Sequence, residues 1–263
     1  MNLAFGASSY IFRNFPEYYK KKFIKFTSKK NFFSDYHIYY KDISSIDEIK
    51  KKKINFCFIF IGVNFKNKKN TLSYNINFKI PSEIIKKVSK KYKNVKFILF
   101  GSFKELMPST NDKNSVYIKH KLMLKKFAEV YLGHRKIEYV WIYLPLIYGK
   151  NQTGFFFISW LKNISKYVDN IYINEKFNSE YLLNVNILYK YIFLITNNWK
   201  KYKNKKIIPK CEGPFYIWEI VNNIIKNKKK VIYKNKKFKN KLHIKANIEL
   251  PFKFNKFAKL SSK

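Results

Sequence analysis

Between Ile54 and Ile61 every residue except Asn55 is apolar. A strand with one wet face alternates polar and apolar residues, so an unbroken run of this kind suits a central parallel strand with both faces covered. Leu3-Ala4-Phe5, Phe97-Ile98-Leu99-Phe100 and the stretch from Ile137 to Leu146 repeat that character. Phe23 to Thr27 and Tyr36 to Lys41 read as further strands. Between them lie helical patterns, clearest from Ile80 to Tyr92, where Ile84, Ile85 and Val88 share one side and lysines the other. Ile46 to Lys53 reads as a charged helix and Asn64 to Asn75 as a polar loop. Pro16 lacks an amide donor and should kink or shorten the helix after the first strand. The alternation predicts an α/β fold with a doubly wound parallel sheet.

Composition narrows the function classes. The formal charge is +39, which favours polyanions through counterion release. Yet Arg13 and Arg135 are the only arginines among 55 basic residues, and arginine is the residue suited to bidentate phosphate and base contacts. Lysine is spread along the whole chain beside Asn, Ile, Phe and Tyr, a bias that A/T-rich codons explain. A specific nucleic-acid partner is therefore not expected. The longest apolar runs, Asn55 to Val63 and Tyr139 to Tyr148, are too short for a membrane helix, which needs about 20 residues. With no leader-like N-terminus, a cytoplasmic location is the expectation. Cys57 and Cys211 make no disulfide framework, and His37, His120, His134 and His243 show no ligand spacing, so no metal is expected.

The chemistry concentrates between Phe97 and Lys126. The apolar strand ends at Gly101-Ser102, and Tyr117 and Lys121 follow at the start of a helix, where positions i and i+4 share a face. An ammonium beside a phenol favours the phenolate, and a hydroxyl from Ser102 would complete a constellation around a carbonyl or alcohol oxygen. This order resembles the Ser-Tyr-Lys site of short-chain dehydrogenases/reductases, in particular the extended members that act on nucleotide sugars.

The resemblance runs from Met1 to about Lys226 and implies the remaining roles. Gly6-Ala7-Ser8-Ser9-Tyr10-Ile11-Phe12 resembles the family's G-x-x-G-x-x-G turn, whose backbone approaches a pyrophosphate at a helix N-terminus. Ser9 and Phe12 stand at the second and third glycine positions. Ser28 and Lys29, followed by Lys30, stand where an acid would hold a ribose 2′-hydroxyl, which implies NADP, with NAD as the alternative. Asp42-Ile43 resembles the pair beside the adenine, although Asp42 reads equally as a helix N-cap. Ile61 and Gly62 stand where small residues approach the cofactor. Asn77 matches an asparagine of the family's proton relay, against the simpler reading of a surface residue. Pro145 to Gly149 and Tyr181 to Ile187 resemble later segments of extended members. Gly154 to Ile164 reads as an aromatic helix, Ile207-Ile208 as a last strand and Gly213 to Lys226 as an amphipathic helix.

Two regions follow, a dinucleotide-binding Rossmann-like domain at 1–150 and a smaller substrate-binding region at 151–263, partly interleaved with the sheet. The dehydratase branch places Asp-Glu directly after its Ser/Thr, where this chain has Phe103 and Lys104 and displaces Glu105 by one. The resemblance thus implies an NAD(P)-dependent 4-keto reductase or epimerase of a nucleotide-activated sugar, with Ser102, Tyr117 and Lys121 catalytic. In the family, helices flanking Tyr117 and Val130 pair two chains as a homodimer. The missing glycines motivate the alternative, a catalytically idle nucleotide-binding or scaffold member of the same fold.

Overall fold

The computed structural model describes residues 1–26, 46, 47, 49, 53–62, 70–106, 115–152, 156–225, 230–237, 241 and 243–248. The chain divides into two compact units, residues 1–143 with 194–207, and residues 144–193 with 208–263. Among the described residues the strands are β1 (Asn2–Phe5), β2 (Phe23–Phe26), β3 (Phe56–Ile59), β4 (Lys96–Ser102), β5 (Tyr139–Leu144), β6 (Leu146–Tyr148), β7 (Asn170–Glu175), β8 (Ser179–Asn184), β9 (Lys205–Ile207), β10 (Glu212–Tyr216) and β11 (Lys230–Asn235). The α-helices are α1 (Tyr10–Arg13), α2 (Glu17–Lys20), α3 (Asn70–Tyr74), α4 (Ile80–Lys91), α5 (Val116–His134), α6 (Phe157–Ile164), α7 (Val185–Asn197), α8 (Trp199–Tyr202) and α9 (Ile217–Ile224).

The first unit holds a six-stranded sheet in the order β2-β1-β3-β4-β5-β9, and its resolved registers are parallel. β1, β3 and β4 are apolar because both their faces are covered: Leu3, Phe5, Cys57, Phe58, Phe97 and Ile98 are all buried. β1 lies between β2 and β3, so the strand order reverses beside it. In open α/β sheets, that switch point at the carboxyl ends of the strands is where ligands bind. Gly6, Ile61, Gly62 and Ser102 all come from the carboxyl ends of β1, β3 and β4.

Pro16 splits the first helical segment, with α1 ending at Arg13 and Pro16 capping the start of α2. A proline in that position loses nothing, since the first amides of a helix have no partner within it. Phe12 is buried and packs against Phe15, Phe23 and Phe60.

The second unit contains a three-stranded sheet, β10-β8-β6, and a parallel pair, β11-β7. Its core gathers Tyr148, Leu161, Ile171, Leu182 and Ile220. Tyr148 donates to Glu212 at 2.7 Å within this unit.

Several expectations need correction. Residues 70–75, read as loop, belong to α3 and the start of a π-helical turn, Asn75–Lys79, that runs on into α4. Their polar side chains obscured the helix, but Ser73 and Asn77 are buried and hydrogen-bonded to each other. Gly213 to Tyr216, read as helix, form β10, and α9 starts at Ile217 with Glu219 accepting from the Tyr216 amide. Of the charged helix expected at 46–53, Ile46 and Asp47 lie in a turn and Ile49 in a bend. Tyr36 to Lys41 lie outside the described residues.

Candidate active site

β4 carries the first part of the site. Gly101 has no room for a side chain: a Cβ there would collide with the indole Nε1 of Trp141 and come within 2.8 Å of Glu105 Oε1. Ser102 ends the strand and caps a single 3₁₀ turn, Phe103–Glu105. Its hydroxyl accepts from the Lys104 amide at 3.3 Å, and its own amide donates to Glu105 Oε1 at 2.7 Å. This reciprocal capping box fixes the serine at the strand end.

α5 supplies the second part. Tyr117 and Lys121 stand one turn apart on one face, and the Tyr117 phenol faces the Ser102 hydroxyl, which favours its ionised form. Lys121 is buried, and its ammonium donates to the carbonyl of Phe100 at 3.1 Å and that of Ile61 at 3.4 Å. It therefore bridges the ends of β3 and β4. Gly62 is exposed beside it, and a Cβ at Gly62 would lie 2.8 Å from Lys121 Nζ and 3.4 Å from Asn77 Oδ1. Those contacts make Gly62 a cradle that a side chain would fill.

The electrostatics differ from the sequence expectation. The Tyr117 phenol was expected to be lowered by Lys121, yet it lies well above the usual tyrosine range. Burial is the main cause, the Glu105 carboxylate adds to it, and the Ser102 hydroxyl opposes it. The Lys121 amine points instead at two carbonyls. Burial brings it down to about 8, against the opposing pull of Glu105.

Asn77, weighed as a surface residue, is fully buried. Its amide donates to Ser73 Oγ at 3.1 Å, and Ser73 Oγ lies 3.0 Å from His120 Nδ1, so a polar line leads from beside Lys121 to a buried histidine. Burial, and then the Lys119 charge, hold His120 below its ordinary value. Spacing could not find this line, because a π-helical turn sets the direction of Asn77.

At the end of β1, Gly6 adopts φ +77°, a conformation that suits glycine, and a Cβ there would sit 3.2 to 3.3 Å from Phe60 and Ile61. Ser8 is exposed. Ser9 caps α1 by accepting from the Phe12 amide at 3.3 Å, while Tyr10 is buried and Ile11 partly buried. The amides of Gly6 and Ala7 both donate to the Phe26 carbonyl, and that of Ser9 to the Gly6 carbonyl. Ser28, Lys29, Asp42 and Ile43 lie outside the described residues. Gly6 and Gly62 leave bare backbone at the ends of β1 and β3, with the buried Lys121 amine beside Gly62, and a side chain at either position would fill the space where the backbone of this turn could approach a dinucleotide. Phe12, where the family has its third glycine, fits because the aromatic cluster beneath it takes up its bulk.

Glu105 was noted in the sequence only as a displaced dehydratase residue. The structure turns it toward Ser102, Trp141 and the lysines of α5, and burial raises its carboxyl above the usual range. Among the described residues no group of three His, Cys, Asp or Glu could hold a metal, and no helix is long and apolar enough to cross a membrane.

No protein-family model matches the sequence, and neither does any curated protein. Solved structures do match in fold. The dTDP-glucose 4,6-dehydratase of Bacillus anthracis, in complex with NAD, has a TM-score of 0.73 at 16% identity, over 94% of this chain and 88% of that one. The dTDP-4-dehydrorhamnose reductase of Clostridium acetobutylicum has 0.66 at 16% identity, over 88% and 82%. The UDP-glucose 4-epimerase of Thermotoga maritima, with UDP-glucose, has 0.69 at 11% identity, over 89% and 85%. The chain therefore shares the Rossmann-like fold of these structures.

Proposed function

We propose that this protein is an NAD(P)-dependent reductase or epimerase of a nucleotide-activated sugar, with Ser102, Tyr117 and Lys121 as its catalytic residues. The observation that carries this reading is the buried Lys121 ammonium, held on the carbonyls of Phe100 and Ile61 beside the open Gly62, one helical turn from a phenol that faces Ser102. An amine in that position can donate to ribose hydroxyls, and the phenol can exchange a proton with a substrate oxygen. Ser102 would polarise that oxygen. A bound nicotinamide would supply or accept the hydride. General acid catalysis of this kind contributes about 10²- to 10⁴-fold in rate. The backbone at Gly6 to Ile11 would receive the pyrophosphate, with Ile61 and Gly62 against the nicotinamide half. NADP is the proposed cofactor, from Ser28 and Lys29, with NAD as the alternative. The complexes of the similar structures with NAD, NADPH and nucleotide sugars support this substrate class. We also propose a cytoplasmic homodimer.

The missing glycines, and the Gly6, Ala7 and Ser9 amides already committed to carbonyls of the chain, favour a second reading, a fold that kept its architecture after its phosphate loop decayed. A titration separates the two. NADPH or NADH should raise the melting temperature and bind saturably, and Lys121→Met should weaken that binding at least tenfold. Wild-type protein that responds to neither dinucleotide would leave the idle reading standing.

A further inference from the structure

The buried carboxyl of Glu105 sits directly behind the Ser102-Tyr117 pair, where the proposed chemistry assigns it no task. Its Oε1 accepts from the Ser102 amide at 2.7 Å, and its Oε2 is buried. The indole Nε1 of Trp141 lies against the same position at Gly101, where it favours the carboxylate. A buried acid is costly even with such neighbours, because burial forfeits hydration. The same capping box could be made with a glutamine, so capping does not account for a charge-bearing group.

The surroundings say what the charge does. Facing Glu105 are Lys121, Lys125 and Tyr117 from α5, Trp141 and Tyr143 from β5, and Ser102 from β4. Lys125 also donates to the Tyr143 hydroxyl at 3.3 Å. A negative carboxylate among them steadies the Lys121 cation and opposes a negative phenolate at Tyr117. Both effects run the same way: the amine keeps its charge and the phenol keeps its proton.

We propose that Glu105 is a positioning residue that locks Ser102 at the strand end and couples its own charge to the Tyr117 phenol, so that the free site waits with that phenol protonated. This rests on the reading of Tyr117 as the proton donor. In a carbonyl reduction the carbonyl oxygen would gain the phenolic proton, the carbonyl carbon a hydride from NAD(P)H, and the phenolate left behind a proton from solvent.

The test uses the full chain without any dinucleotide. Protein labelled with 3-fluorotyrosine is titrated by ¹⁹F NMR, with Tyr117→Phe assigning the resonance. Glu105→Gln keeps the acceptor for the Ser102 amide and removes the charge, so it should raise the Tyr117 ionisation constant about tenfold or more. Glu105→Asp, which restores a charge, should move it back. In parallel, wild-type protein with ¹³C-labelled glutamate carboxyls should show Glu105, assigned by its loss in either variant, titrating above the other glutamates. That measurement decides the matter even where Glu105→Gln does not fold. A Tyr117 midpoint unmoved in folded Glu105→Gln, or a Glu105 that titrates with the exposed glutamates, would overturn the proposal. Failure of both dinucleotides to bind, with the Tyr117 shift present, would sink the enzymatic reading and leave the Glu105 to Tyr117 coupling intact.

Discussion

Lys121 is the residue on which stability and function meet. Its amine is buried, and its folded value of about 8 lies below the ordinary 10.5. Between those two pH values the unfolded chain binds the proton that the folded chain has released, so folding is favoured more as pH rises through the window. Below about pH 8 both states are protonated and the folded state carries the full burden of a buried charge. The difference amounts to roughly 3 kcal/mol, at about 1.36 kcal/mol per unit. Lys121→Met should abolish that contribution. Urea unfolding at pH 7.5 and pH 10 should then show the wild type gaining on the variant at the higher pH; parallel curves would mean that the amine is not desolvated as described. The sequence put Tyr117 and Lys121 on one face because the i and i+4 rule is purely local. It could not give their ionisation, since burial, the carbonyls of Ile61 and Phe100 and the charge of Glu105 all arrive from distant parts of the chain.

At the scale of elements, β4 and the turn after it work as one rigid piece. Gly101 lets Trp141 of β5 lie across the strand, and the capping box then turns Glu105 beneath Ser102. Gly101→Ala should overpack this junction and cost about 1–3 kcal/mol in urea unfolding, with a change in Trp141 fluorescence. An undiminished midpoint would show that the indole can move aside cheaply. The strands of the parallel sheet were legible because double-sided burial writes itself as unbroken apolar runs. Two kinds of element were not. Asn70 to Lys79 is polar yet helical, because Ser73 and Asn77 satisfy each other and His120 inside the protein. β7 and β11 form a parallel pair; β7 alternates, with Ile171 and Ile173 buried between exposed Asn170, Tyr172 and Asn174, but lysine and asparagine dominate the sequence around β11 and hide its pattern. Glu105 stood out in the sequence only as a displaced acid, because nothing in Phe103-Lys104-Glu105-Leu106 tells that the chain around Trp141 and Lys121 closes over it.

For the molecule as a whole, the charge and the apolar surface make opposing demands. Phe78, Met123, Phe127, Val130 and Tyr131 line a groove of about 520 Å³ along α5, and Val130 is 52% exposed. Lys86 lies over the Phe127 ring and Arg135 over the Tyr131 ring at its rim. If two chains pair through this face, each brings a formal charge of +39 to the encounter, and their mutual repulsion is long-ranged at low salt. Salt shortens that repulsion to roughly 8 Å at physiological strength while leaving the apolar contact in place. Pairing should therefore tighten as salt is raised, and sedimentation at 50 and 300 mM salt should show the dimer fraction rising. Binding to heparin or to RNA must move in the opposite direction, since it depends on releasing counterions. Val130→Lys, which sets a cation in the groove, should leave monomers at both salt concentrations with an unchanged far-UV spectrum. A dimer that dissolves with salt, or one that survives Val130→Lys, would mean that the contact is ionic or lies on another face.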